Sequence, residues 1–469
     1  MKQQTILFMM APAHGHLNCT FNFGHRLSDE GYKVIYAVPP LMQQKILQQG
    51  FETIICPTQL FTKRNGTGIN DEPKLENFFE IIVDRITNLH LKHTKEAAKQ
   101  MNEAIQKVQP DLIFLDCFLV YNYLLLTGKK PKTILLQTML DTSQRKGLPP
   151  LNSALLPDKM NGKFNARKVK WAWQRLSFKK KWKKLLSLGD NPSQITYRIL
   201  KEQKEIIQAS LAFNRVFHPA IKGLQELILA PKAIDLEEIS PTNKVYIGSS
   251  MNTQRKEEIL MGRLEEVMEE LKASYQEETW IYCSLGTLNK THNKNSGKFF
   301  EKMIEVFKQK TTWELILSTG EIDSATIKHN LPNVHVFSRV PQLEVLKYCK
   351  VMVTHGGLNS TLEGINHQVP MLVYPLNNNW DQNGDAVRVV NYKLGLMGEI
   401  NQATTKEISQ KLEELVTNPI YAQHLAKIKQ QIKEENGMET ALELVRKMLP
   451  KATTTNKGYS RKETILSIV

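Results

Sequence analysis

Hydrophobic positions along the chain follow two alternating rhythms. Short runs dominated by Val, Ile, Leu and Phe recur between longer stretches whose apolar residues return every three or four positions. The first half reads as strands at 5–10, 34–38, 52–56, 112–115 and 132–137, with a short one at 211–213. Helical periodicity fills 17–30, 41–49, 75–108 and 195–207, and residues 11–16 read as a loop. The second half repeats the alternation, with strands at 245–248, 280–284, 313–318, 334–337, 351–353 and 371–374. Its helices are expected at 256–273, 296–309, 342–349 and 358–365, then at 404–416, 418–435 and 438–448. The strand runs are continuously apolar, as in parallel sheets covered on both faces. The pattern predicts an α/β protein with two similar parallel-sheet halves.

A chain of 469 residues is long for one core and suits two domains. The acidic, loop-like stretch 235–240 places the expected boundary there, giving an N-terminal domain over 1–240 and a C-terminal domain over 241–435. Residues 451–469 are polar and charged and read as a loose tail, and 60–72 as a polar loop. Five scattered cysteines, odd in number and mostly in apolar runs, point to reduced thiols in a cytoplasmic setting. No signal peptide or bilayer-length apolar run is expected from this pattern.

The net charge of +15 is concentrated in an insertion at 140–190. Between Lys159 and Lys184 stand eleven Lys and Arg and no acids, interleaved with Trp171, Trp173, Phe178 and Trp182. A solvated helix pair with a few rings in the core would read this way. So would a surface for peripheral contact with an anionic membrane, and the interleaved rings favour that over nucleic acid, which is not expected as a partner.

The densest chemistry lies between Val351 and Arg388. Strand, Gly356-Gly357 turn, helix, strand is the order that places a ligand beyond the strand ends. Glycine lets a ligand approach backbone N–H groups, and the helix start adds donors and partial positive charge. His355, Asn359 and Ser360 supply further donors for a diphosphate. Glu363 shares the face of Asn359 and Ser360 one turn on and suits vicinal hydroxyls such as those of ribose. Asp381 and Gln382, an acceptor beside a donor–acceptor, suit sugar hydroxyls. A histidine after the first strand, His14 or His16, is a candidate general base. Asp116 ends a strand and could orient it or cap the next helix. No spacing of a metal site is present, so none is expected.

HGGLNSTLE from His355, followed by Pro375 and Trp380-Asp381-Gln382, resembles the donor signature of the UDP-glycosyltransferase superfamily. The layout covers nearly the whole chain. The resemblance implies the GT-B architecture, two Rossmann-like domains across a cleft, with a last helix over 436–450 crossing back to the N-terminal domain. It implies an inverting transferase moving a hexose from a UDP-sugar co-substrate to a hydroxyl of a small lipophilic acceptor, with no other cofactor. It selects His16 in Gly15-His16-Leu17-Asn18 as the base and Asp116 as its partner. Gly286 and Thr287 match a diphosphate turn, and Gly357 belongs to the donor cradle. Gln342 in Val340-Pro341-Gln342 matches the base-binding segment, and Gln382 matches glucose-preferring members.

Three departures stand out. Cys19 follows Asn18 where relatives have proline. Arg339 replaces the tryptophan that stacks on uracil, although guanidinium planes also stack on rings. Residues 376–380 are two longer than in many relatives, beside the expected sugar. A nucleotide-sugar-binding protein without transfer has no need of His16 and Asp116. A same-fold epimerase would lack the base loop. A dehydrogenase would need G-x-G-x-x-G after the first strand.

Overall fold

The computed structural model describes residues 3–57, 88–158, 161–186, 192–202, 211–236, 243–248, 262–274, 276–286 and 294–449. The loop expected at 60–72, the first part of the helix at 75–108, the tail at 451–469 and Thr287 lie outside the described residues.

The first sheet has seven strands, all parallel, in the order β3-β2-β1-β4-β5-β8-β9. Its inner members are β1 (Thr5–Met9), β2 (Lys33–Val38), β4 (Leu112–Asp116), β5 (Lys132–Gln137) and β8 (Gln225–Ile228); β3 (Glu52–Ile55) is at one edge. Ile6 and Phe8 of β1 enter one apolar cluster and Leu7 and Met9 another, so both faces are covered. That explains why the strand reads as unbroken hydrophobicity.

The second sheet has six parallel strands, β12-β11-β10-β13-β14-β15. They are β10 (Thr279–Ser284), β11 (Trp313–Ser318), β12 (Val334–Phe337), β13 (Val351–Thr354), β14 (Met371–Val373) and β15 (Gly395–Met397). β6 (Leu211–Ala212) and β7 (Ala220–Ile221) form a separate antiparallel pair.

The strand expected to open the second domain is β9 (Lys244–Tyr246), and it pairs with β8 (Gln225–Ile228) as the seventh strand of the first sheet. The first sheet therefore runs past residue 240. Its polar lead-in hides β8 in the sequence: buried Glu226 forms a fork-like ion pair with buried Arg215. The helix expected over 17–30 is broken into α1 (His14–Asn18) and α2 (Phe21–Asp29) at Cys19 and Thr20. The Cys19 thiol donates to the His16 carbonyl, 3.2 Å away, at that break.

The first half continues with α3 (Pro40–Gln48), α4 (Leu89–Val108), α5 (Val120–Leu124) and the basic helix α6 (Ala166–Leu186). After α7 (Pro192–Glu202) and α8 (Arg263–Ser274), the second half adds α9 (Ser296–Gln309), the short α10 (Gln342–Val345), α11 (Leu358–His367) and α12 (Gln382–Asn391). Three terminal helices follow, α13 (Thr405–Thr417), α14 (Ile420–Glu434) and α15 (Gly437–Met448). The last returns to the first sheet, where Ala441, Leu442 and Val445 join the cluster containing Ile6 and Phe8. Arg446 of α15 pairs with Glu30 there. Among the described residues no helix is long and apolar enough to cross a membrane.

Candidate active site

Both sheets reverse strand order at a defined point, β1 beside β4 and β10 beside β13. Open α/β sheets bind ligands at such switch points, outside the carboxyl ends of the strands. His16 follows β1 and Asp116 ends β4; Gly286 follows β10 and His355 follows β13. Topology alone thus assembles residues separated by 100 positions in one half and 69 in the other.

In the first crevice His16 Nδ1 lies 2.7 Å from Asp116 Oδ2 and 3.0 Å from Thr138 Oγ1. With both oxygens on one side, the ring proton belongs on Nδ1, and Nε2 keeps its lone pair. Asp116 is fully buried. Its Oδ2 also accepts from the Ala11 N–H at 3.1 Å, and its Oδ1 accepts from the Phe118 N–H at 2.9 Å. The two sequence readings of Asp116 therefore coexist, one oxygen capping the following turn and the other holding the imidazole. Burial opposes ionisation of Asp116, but the charge and hydrogen bond of His16 and the two backbone donors outweigh it and lower its pKa. Burial likewise opposes a charged His16, and the charges of Asp116 and Asp381 outweigh it, raising the imidazole above its ordinary value. Phe118 stands edge-on to His16 with ring centroids 4.6 Å apart. Beyond it lies His218, which burial pushes down to about 4. Thr138 and Phe118 had no signature in the sequence.

His14 does not join His16. Its Nδ1 accepts from Lys45 Nζ of α3 at 2.9 Å. Burial, Lys45 and Arg339 all lower its pKa. Arg339, exposed after β12, is thus close enough to the N-terminal loop for its charge to be felt there.

In the second crevice the His355 imidazole fits between two glycine turns. A Cβ at Gly286, whose φ is +80°, would lie 2.8 Å from His355 Cε1, and one at Gly357 would lie 2.7 Å from its Nε2. Gly357 precedes α11 and no side chain caps that helix, so its first-turn N–H groups remain unclaimed by a capping side chain. Asn359 Nδ2 donates across the cleft to the Gly15 carbonyl at 3.2 Å, joining the first turn of α11 to the loop that carries His16. Gln342 Nε2 donates to buried Glu363 Oε2 at 2.5 Å and lies 3.3 Å from Ser360 Oγ, while its Oε1 accepts from Tyr282. These three expected donor residues form one connected face.

Asp381 precedes α12, and its charge reaches His16 across the cleft. Gln382 differs from the expectation. Its Oε1 accepts from the Leu376 and Asn377 N–H groups at 2.8 and 3.3 Å, so the carbonyl braces the loop and only the amide N–H groups remain for other partners. One turn past Asp381 stands Asp385, buried with neither oxygen hydrogen-bonded. Burial, and after it the nearby Asp381 charge, push its carboxyl well above the ordinary carboxylate range.

Contacts across the cleft were not foreseen. Asp235 accepts from Arg145 at 2.9 and 3.1 Å, from Tyr246 at 2.5 Å, and from Arg388 of α12 at 2.5 Å. Burial works against the ionised form, but Arg388 and Arg145 hold Asp235 far below the usual carboxylate range. A Cβ on Gly384 would lie 2.0 Å from the Leu151 carbonyl oxygen, so α12 and the 148–152 segment need a bare backbone there.

The family model described as UDP-glucoronosyl and UDP-glucosyl transferase matches residues 198–440, just over half of the chain. NDP-glycosyltransferase YjiC of Bacillus subtilis (strain 168) is 23% identical over 443 residues, spanning 94% of this chain and 96% of the relative. Oleandomycin glycosyltransferase of Streptomyces antibioticus is 23% identical, spanning 93% and 89%. Among solved structures, the glycotransferase of kitacinnamycin aligns with a TM-score of 0.65 at 20% identity, covering 96% of this chain and all of that one.

Proposed function

The chain belongs to the UDP-glucoronosyl and UDP-glucosyl transferase family and is a GT-B glycosyltransferase of nucleoside-diphosphate sugars, and on that footing we propose that it moves glucose from UDP-glucose to a hydroxyl of a small lipophilic acceptor. His16 takes the acceptor proton on Nε2, and the oxygen attacks the anomeric carbon from the face opposite the departing UDP, inverting its configuration. Asp116 holds the tautomer and stabilises the imidazolium. The first-turn N–H groups of α11, with Gly286, Gly357, His355, Asn359 and Ser360, receive the diphosphate charge without a metal. Glu363 and Gln342 take the ribose, Arg339 stacks on uracil, and Asp381 with the Gln382 amide holds the hexose.

The observation that carries this reading is the 2.7 Å contact of His16 Nδ1 with buried Asp116, which leaves the Nε2 lone pair to act as the base. A lipophilic acceptor is supported by the apolar flank of that base, Phe118 and the neutral His218. Oleandomycin, in the name of one relative, is a second support. The five buried free thiols fit a cytoplasmic setting. A lipophilic acceptor is met at a membrane, and the basic, aromatic stretch 159–184 offers peripheral contact with one.

The test is nucleotide release from UDP- and dTDP-sugars with a panel of lipophilic alcohols and phenols. Acceptor-dependent UDP release, highest with UDP-glucose and lost in His16→Ala, is the expected result. Equal turnover in His16→Ala refutes the base, and preference for dTDP-sugars refutes the donor.

A further inference from the structure

We propose that the outer face of α6 docks on an anionic phospholipid bilayer and turns the acceptor side of the cleft toward it. The docking stands on its own; the orienting role rests on the glycosyl-transfer reading.

The helix carries two opposite apolar stripes. Val169, Trp173 and Leu176, at positions i, i+4 and i+7, share the face turned to the protein. Trp173 Nε1 donates to the Leu148 carbonyl at 2.9 Å there. Trp171, Phe178, Trp182 and Leu185, at i, i+7, i+11 and i+14, fall on the other side and are 60, 62, 47 and 64% exposed. Single exposed apolar residues are ordinary. Four in one row span about 21 Å of helix and call for a partner. The rings already stack among themselves, Phe178 edge-on to Trp182 at 5.9 Å and Arg175 over Trp171 at 5.4 Å.

Charge selects the partner. Lys168 and Arg175 flank the row on one side, and Arg167, Lys170 and Lys181 on the other; the helix has no acid. A second copy would set cations against cations. A nucleic acid would stack on rings but has nothing for the exposed Leu185 and Leu186 at the end of the row. An in-plane helix at an anionic headgroup layer uses all three features, with apolar residues below, Trp at the interface and cations at the phosphates.

The same helix touches the site from within. Lys179 Nζ donates to Asn379 Oδ1 at 2.6 Å, in the loop preceding Asp381. Lys180 donates to the Arg215 carbonyl, and its charge is felt by His218. One helix diameter, about 10 Å, separates the proposed membrane surface from residues beside the base.

The experiment is co-sedimentation of the full chain with phosphatidylcholine vesicles, with and without phosphatidylglycerol, at low and high salt. Binding only to the anionic vesicles, weakened by salt and reduced at least about tenfold in the Trp171→Ser/Phe178→Ser/Trp182→Ser variant, is expected. Because these side chains are exposed, the variant keeps its fold and its transfer to a water-soluble acceptor. No binding at low salt overturns the docking, as does binding indifferent to the variant. Stripe-dependent capture of poly(U) in place of vesicles, or a dimer that the variant dissolves, assigns the face to another partner and also overturns it. For the orienting role, transfer to an acceptor held in anionic vesicles falls in the variant while transfer in solution does not. An equal effect on both overturns that role. Absence of transfer in the unmodified protein counts against the glycosyltransfer reading, while vesicle binding still decides the docking.

Discussion

Replacing Asp116 by Asn strikes the proton-handling geometry where it has least slack. Each carboxylate oxygen accepts from backbone or imidazole, with His16 Nδ1 and the Ala11 N–H on Oδ2 and the Phe118 N–H on Oδ1. An amide has one acceptor atom, so its NH2 must face a donor on one side or the other. Turned toward His16, it forces the ring proton onto Nε2 and removes the base. Turned the other way, it keeps the tautomer but loses the charge that stabilises the imidazolium. Two unit charges about 4 Å apart at an effective dielectric constant of ~20 interact by ~4 kcal/mol, or about three powers of ten in rate. kcat/KM should therefore fall about 10³-fold or more, with donor affinity, measured by calorimetry, within about twofold of the unmodified protein. The pH profile is a second readout. His16 acts as a base only when neutral, and its pKa is raised, so activity is lost as pH falls through a value above 6.5. Without the Asp116 charge that limb moves to lower pH. A loss smaller than about tenfold, or a limb that stays in place, refutes the dyad.

Gly357→Ala puts a methyl group 2.7 Å from His355 Nε2, at a φ that alanine tolerates; UDP affinity should drop about tenfold or more, from overpacking of ~1–3 kcal/mol at the cradle, read by calorimetry. Arg388→Met removes one cation from buried Asp235 and should cost ~3 kcal/mol in urea unfolding at neutral pH. Because the folded pKa of Asp235 is depressed, this contribution is present above the ordinary carboxylate pKa and is lost as pH falls through the folded value, so the two proteins should converge in acid. Asp385→Asn replaces a carboxyl whose folded pKa is raised, a group whose stabilising share is complete below its unfolded pKa and is lost as pH rises toward the folded one. Relative to the unmodified protein, the variant's Tm should therefore rise from pH 5 to pH 8 in calorimetric scans, and a difference that stays flat over that range would show Asp385 to be ionised in the folded protein.

What the sequence discloses and what it hides divide by range. Strands at 132–137, 313–318 and 334–337 and the helix at 296–309 coincide with their sequence limits, since each is an apolar run bounded by polar turns. The chemistry carried by neighbours in sequence, Asn359, Ser360 and Glu363 on α11, was legible from helical spacing. Asp116 and His16 stand 100 residues apart, and only the resemblance paired them. Thr138 and Asp235 left no trace, because a buried hydroxyl or carboxylate is identified by partners that tertiary structure supplies. β8 was hidden by an internal ion pair that makes a buried strand look like a turn.

The loop before Asp381 is bonded to both halves of the molecule. Asn378 and Asn379 are tied to the N-terminal half: Asn152 Nδ2 donates to the Asn378 carbonyl at 3.3 Å, and Lys179 holds Asn379. Asn383 Nδ2 closes the clasp by reaching the Asn152 carbonyl at 3.4 Å and Asn378 Oδ1 at 3.1 Å. Inside it, the Gln382 carbonyl pins the loop backbone from below. Asn378 and Asn379 thus fasten the loop to the segment that carries Asn152 and to α6. The loop is held from both halves, by Asn152 and Lys179 on one side and by Gln382 and Asn383 on the other. Asp381 follows directly on that clasp and lends its charge to His16.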